Sequence, residues 1–177
     1  MTSFPKCGLT FKYFKKAVQN YMDAHPDYVA WCKKVQLIAA QKRISVNGFG
    51  RVRTLMGDEN SIKRQALNSP VQGTAADVAR EAMADCQEFL DAKYLTDVRW
   101  RKVKLLLQVH DELVFEAPEN MRQEVTKEMM NIMTKEITIN NYTFRLKGDV
   151  EVGKKWGNQQ KYDYTNDKII TDGKSKH

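Results

Sequence analysis

The run LLLQVHDELVFEA, residues 105 to 117, constrains this chain more than any other stretch. Its two apolar halves are each the length of a strand and carry no glycine or proline. Only His110, Asp111 and Glu112 separate them. Read as a hairpin, the run puts Leu105, Leu107 and Val109 on one side of the first strand and Leu106 and Gln108 on the other, with Leu113 to Ala117 returning. His110-Asp111 is then the turn and Glu112 its exit. Two-residue hairpin turns need positive φ and favour Asn-Gly or Asp-Gly, so His-Asp-Glu answers to some demand other than turn chemistry. Adjacent carboxylates repel unless a proton or a cation neutralises them. An all-oxygen donor pair suits Mg²⁺ or Mn²⁺ rather than zinc. A solvated polar turn is the simpler reading of this stretch taken alone.

Helical patterns occupy most of the remainder. Residues 9–24 place Phe11, Phe14, Val18 and Tyr21 at helical spacing and stop at His25-Pro26. A second helix is expected from about Asp27 to Arg43, with Val29, Cys32, Val35, Gln36 and Ala39 inward. SVNGFGRVRTLMGDENS holds three glycines in ten residues and reads as turns around a short strand. Residues 61–92 read as a helix that Pro70 should bend or divide, with Val71, Ala75, Val78, Ala82, Cys86 and Phe89 as one buried stripe. A helix from about Pro118 to Glu136 and an alternating strand in YTFRLKGDVEVG complete the pattern. NQQKYDYTNDKIITDGKSKH has the composition of a poorly ordered end. The expectation is one α+β unit: a basic helical part over 1–60, a part with a kinked helix, the hairpin and a terminal strand over 61–158, and a polar tail over 159–177.

Charge separates the chain's two ends. Residues 1–64 hold 12 Lys/Arg against 4 Asp/Glu, whereas residues 65–177 hold 17 against 18, within a net charge of +7. A one-sided basic segment points to a polyanion, and to nucleic acid before membrane, because no stretch has a strong Trp/Leu face for a bilayer. No apolar run approaches the ~18 residues of a membrane span, and the opening lacks the apolar core of a secretory signal. A cytoplasmic chain is expected, with no membrane partner. Cys7, Cys32 and Cys86 form no C-x-x-C pair and read as reduced, apolar residues.

Arg64, Asn68 and Gln72 recur every fourth residue. On a helix they form one polar stripe roughly 12 Å long. The duplex minor groove offers purine N3 and pyrimidine O2 acceptors at every base pair, so such donors can hold any regular sequence. A solvated helix face fits the same spacing.

Two longer motifs decide between these readings. KRQALNSPVQGTAADVAREAM (63–83), succeeded some thirty residues later by QVHDELVFEAP (108–118), resembles the C-terminal part of the palm and fingers of family A DNA polymerases, the bacterial DNA polymerase I type. Weaker similarity runs through YMDAHPDYVAWCKK, GFGRVRTL and DVEVGKKWG, and only the tail after about Asn158 lies outside it. The resemblance implies a polymerase palm whose antiparallel sheet carries a catalytic β-hairpin, joined to helices of the fingers/palm junction. It also implies nucleotidyl transfer with two Mg²⁺ ions, Mn²⁺ being a substitute. By that resemblance Asp111 is a catalytic metal ligand, with Glu112 a supporting carboxylate beside it. His110 contacts the primer end, while Arg64, Asn68 and Gln72 hold template and primer near the nascent pair. Arg51 contacts backbone phosphate. The implied partners are primer-template DNA and dNTPs.

Two motifs of such enzymes do not occur in this sequence. One is the earlier palm strand of the D-Y-S-Q-I-E-L-R type, which carries the second metal-binding aspartate. The other is the fingers helix of the R-x-x-x-K-x-x-x-F-G-x-x-Y-G type, and MTSFPKCGL resembles the segment immediately after that Y-G. Thumb and exonuclease domains are also missing from it. Asp77 lies in the helix motif and Asp149 on a distant strand, so neither replaces the missing ligand. The resulting expectation is the smaller subunit of a split, phage-type DNA polymerase, completed in trans by a partner with the thumb, the second catalytic aspartate and the fingers helix. A non-catalytic DNA-binding or regulatory remnant and an independent metal-dependent nuclease stay open as alternatives. The His-Asp-Glu turn weighs against the first, and the lack of further acidic ligands against the second.

Overall fold

A computed structural model describes residues 10–170. Cys7, the MTSFPKCGL segment and residues 171–177 of the tail lie outside the described residues. The chain divides into two compact units, one through Gly73 and one from Thr74.

In the first unit, α1 (Phe11–Ala24) begins at Thr10, whose hydroxyl accepts from the Tyr13 backbone N–H at 3.3 Å. Its stripe of Phe11, Phe14, Val18 and Tyr21 is exposed. The chain turns at His25, and Pro26 opens α2 (Pro26–Lys42) at a position where its missing N–H has no helical partner to lose. On α2 the expected inner face holds: Ala39 is buried, and Val29, Cys32, Val35 and Gln36 are half-buried. The glycine-rich stretch makes two strands rather than one. β1 (Ile44–Val46) and β2 (Val52–Thr54) pair antiparallel around an Asn47–Arg51 loop.

α3 (Glu59–Thr96) starts with Asp58 capping the Ser61 N–H at 2.7 Å. Ile62 and Ala66 close a small core with Ala39 and Leu55. Of the bend or division expected at Pro70, the division does not occur, and α3 is one continuous element through it. An interior proline costs about 3 kcal/mol. Here Ala66, whose carbonyl loses its donor, is packed in the small core, and the adjacent buried Ser69 accepts a hydrogen bond from Arg53 at 3.4 Å. These contacts hold the helix across the fault. The expected apolar stripe is also corrected: Val71 is 64% exposed and Ala75 is exposed, so burial begins only further along.

The second unit is organised by one core of Cys86, Leu90, Trp100, Val103, Met121, Val125 and Met129. Burial, and then the Asp85 carboxylate, push the Cys86 thiol up to about 11, as suits a packing residue. Trp100 is anchored in a 3-10 turn, Val98–Lys102, with Phe89 edge-on at 5.4 Å. β3 (Lys104–Val109) and β4 (Glu112–Glu116) come next. The helix expected from Pro118 is a 3-10 turn, Glu119–Met121, leading into α4 (Arg122–Met133). Lys135, just beyond it, donates to Glu81 at 2.8 Å and also to Asp85.

β5 (Glu136–Ile139) and β6 (Tyr142–Arg145) form a hairpin whose turn residues, Asn140 and Asn141, both take positive φ. The last sheet orders β7 (Glu151–Val152), β8 (Gln160–Asp163) and β9 (Lys168–Ile169) in sequence. Composition therefore misled for residues 160–170. They are tied to α4 by the Arg122–Asp167 ion pair at 2.7 Å, and Tyr162 donates to the same carboxylate. The same Arg122 guanidinium also lies 4.8 Å over the Tyr162 ring of β8. Among the described residues no helix is long and apolar enough to cross a membrane.

Candidate functional site

The β3–β4 hairpin presents His110, Asp111 and Glu112 at its tip, all exposed. His110 takes φ 54° and Asp111 is not among the positive-φ residues. The turn thus asks for positive φ only at its first central position, where glycine is the usual occupant. Histidine tolerates this region better than most residues. Gln108 steadies the turn by donating to the His110 carbonyl at 3.0 Å.

The faces of the hairpin differ from strict alternation. The register pairs Leu105 with Phe115, then skips Leu106 and pairs Leu107 with Val114 and Gln108 with Leu113. This is a β-bulge, with two residues opposite one. Leu105, Leu113 and Phe115 pack on the core, so Leu105 shares its side with Gln108 and not with Leu107 and Val109. Leu106 and Leu107 remain 52% and 40% exposed. The sheet has only these two strands among the described residues, which leaves both edges without a neighbour.

The two carboxylates make no hydrogen bond or ion pair with another described side chain, and both are hard oxygen donors. They fit a divalent cation in donor chemistry. They fit it only in part, because among the described residues no three carboxylate, imidazole or thiolate groups converge to hold a metal ion.

In the first unit, Arg64, Asn68 and Gln72 occupy successive turns of α3 and are exposed, while Ile62, Ala66 and Ser69 of the same segment are buried. No hydrogen bond or ion pair engages the three side chains with other described residues, so their donors are available to a ligand. Arg51 is exposed on the loop between β1 and β2.

The residue that motif reading passed over is Asn47. Its side-chain oxygen accepts from the backbone N–H of Phe49 at 3.1 Å and of Arg51 at 2.9 Å. Its backbone N–H donates to the Arg51 carbonyl at 3.0 Å, and its own carbonyl accepts from Gly50, which takes φ 81°. The same Asn47 lies against Gly73 of α3, where an added Cβ would sit 3.3 Å from the Asn47 Cβ. The Asn-Gly pair was the available signal, since asparagine side chains close turns on their own backbone.

Comparison with known proteins bears on all of these residues. A model described as DNA polymerase family A matches residues 6–158, which include both the α3 stripe and the hairpin. DNA polymerase I of Bacillus subtilis (strain 168) is 38% identical over 163 residues, covering 84% of this chain and 17% of that protein. Thermostable DNA polymerase I of Thermus filiformis is 30% identical over 156 residues, covering 82% of this chain and again 17% of the relative. The chain thus spans about a sixth of the length of these relatives. Among solved structures, the POL domain of Pol1 from M. smegmatis, in complex with DNA primer-template and dNTP, is similar at a TM-score of 0.60 and 26% identity, over 71% of this chain and 22% of that one. With most of its length matched by the family model, the chain belongs to DNA polymerase family A.

Proposed function

We propose that this chain is the C-terminal catalytic part of a split DNA-directed DNA polymerase, acting on primer-template DNA and dNTPs in the cytoplasm of a bacterial host. A partner polypeptide supplies the thumb, the second catalytic aspartate and the fingers helix. One observation carries the reading: within the family-matched region, two unpaired carboxylates sit on the tip of a two-stranded hairpin that lacks, among the described residues, both a third metal ligand and a third strand. Asp111, with Glu112 beside it, would hold divalent cations, Mg²⁺ or Mn²⁺, which supply acidification of the primer 3′-hydroxyl and charge stabilisation at the leaving pyrophosphate. His110 lies at the tip to meet the primer end. Arg64, Asn68 and Gln72 grip the minor groove, and Arg51 a backbone phosphate. The partner's palm strand pairs with the open hairpin edge and covers Leu106 and Leu107, since an uncovered apolar edge invites pairing or aggregation.

The decisive experiment expresses this chain and its candidate partner separately and together, then measures Mg²⁺-dependent extension of a primed template. Synthesis is expected only from the mixture. Robust extension by this chain alone sinks the split reading, and DNA binding without extension by the mixture favours a non-catalytic remnant.

The donor stripe carries its own expectation. Gln72→Ala should remove a hydrogen bond worth about 0.5–1.5 kcal/mol. Because the acceptors recur at every base pair, the loss should be similar for all four correctly paired primer termini, and discrimination against mismatched termini should change. Single-turnover extension of matched and mismatched ends measures both. Unchanged discrimination leaves the stripe without a reading function.

A further inference from the structure

The structure assigns to Asn47 a role that no motif gives it: a positioning residue that fixes Arg51 on the helical turn bearing Asn68 and Gln72, so that phosphate contact and minor-groove contact act as one unit. The inference rests on the DNA-binding reading above and goes further by naming what builds the site.

Three observations carry it. First, Asn47 fixes both backbone polar groups of Arg51, accepting from its N–H at 2.9 Å and donating to its carbonyl at 3.0 Å. Asn47 thereby fixes the backbone from which the Arg51 side chain leaves the loop. Second, Asn47 is seated on α3. The missing Cβ of Gly73 leaves 3.3 Å to the Asn47 Cβ and 3.5 Å to its Nδ2, so the loop lies directly on the helix. Third, a second tie lies one turn earlier, where Arg53 donates to the buried Ser69 hydroxyl at 3.4 Å. The hairpin is thus pinned over residues 69 to 73, and the exposed side of that turn carries Asn68 and Gln72. A side chain at 73 would press on Asn47, which would have to give by a few tenths of an ångström.

The chemistry explains the residue types. A carbonyl-type oxygen on a short side chain can accept from N–H groups two and four residues on. Glycine at 73 permits a close approach that a Cβ would crowd, at 3.3 Å from the Asn47 Cβ. Neither is needed for a helix or for a hairpin as such.

The test uses the complex of this chain with its complementing partner and a primed duplex, and it reads the dissociation constant as a function of salt. Arg51→Ala should weaken binding roughly 5- to 10-fold and lower the log–log salt slope by about 0.9, the value for one phosphate contact. Asn47→Ala should reproduce both changes, and the Asn47→Ala/Arg51→Ala double variant should be no weaker than Arg51→Ala alone. Asn47→Asp keeps an acceptor for both N–H groups and should restore binding to within about twofold. Gly73→Ala should show an intermediate loss that vanishes in the Asn47→Ala background. For Asn47→Ala and Gly73→Ala the loss should fall on binding rather than on turnover at saturating DNA. Additive effects of Asn47→Ala and Arg51→Ala, or an unchanged salt slope with lowered thermal stability, reduce Asn47 to a structural residue and overturn the assignment. If Arg51→Ala leaves binding and slope unaltered, the phosphate reading of Arg51 fails, and the role assigned to Asn47 falls with it.

Discussion

Asp111→Asn is expected to lower primer extension by the reconstituted enzyme about a thousandfold, with DNA binding retained. Asparagine keeps the shape of the residue and suits a turn, so the hairpin should persist. What disappears is one negative oxygen donor at the tip. The exposed Asp111 carboxylate makes no ion pair with another described residue, so no protein contact is broken whose loss could be mistaken for lost chemistry. A metal-ligand charge supplies several kcal/mol of transition-state stabilisation, and ~4 kcal/mol corresponds to about three orders of magnitude in rate. Rapid-quench extension at saturating DNA and dNTP measures it directly. Near-normal turnover would remove Asp111 from the metal site.

The second large effect concerns stability. Trp100 is 1% exposed at the centre of the second unit's core. Trp100→Ala should cost about 3–5 kcal/mol, a large part of the stability of an ordinary domain. Its ring meets Phe89, and the Lys93 ammonium lies 5.5 Å over it, so packing and a cation–π contact are lost together. The indole N–H is buried without a hydrogen-bond partner among the described residues. Trp100→Phe removes that unpaired donor along with some volume and should therefore cost much less. Equilibrium urea unfolding of the three proteins gives the comparison. A loss below about 1 kcal/mol for Trp100→Ala would mean that the core is not closed around it.

Residue pattern reveals the type of most elements and fails where two causes act on one segment. The inner face of α2 is legible because Val29, Cys32, Val35, Gln36 and Ala39 keep one helical period and are all at least half-buried, with Ala39 closing on the small core. α3 is not, because a single 3.6-residue period carried through Gly73 describes one buried face, although the helix serves two separate cores, Ile62 and Ala66 in one and Cys86 and Leu90 in the other. Val71 and Ala75 fall between them and stay exposed. The hairpin is legible as two apolar runs around a polar turn. Its faces are not, because a bulge at Leu106 leaves no mark in a run of three leucines. Residues 160–170 look like tail by composition, and what orders them is a long-range latch from Tyr162 and Asp167 to Arg122. At the candidate site, the spacing of Arg64, Asn68 and Gln72 is visible in the sequence. The seat of Asn47 on Gly73 depends on a close approach across the fold, which no linear pattern encodes.

The bulge also has a mechanical meaning. Beyond Leu106 the strand runs three residues to Val109, an arm of about 10 Å at the usual rise per residue, and the turn at its end carries Asp111. Bulges bend and twist the strand that holds them, so Leu106 is the pivot of that arm. In the proposed role the tip groups would have to keep their positions to about 0.5 Å, which over such an arm allows a rotation of only about 3° at the pivot. The aim of the carboxylates is therefore set less by the turn that carries them than by the clamping of Leu105, Leu113 and Phe115 on the core. A packing change at the foot of the arm would be read out, magnified, at its tip.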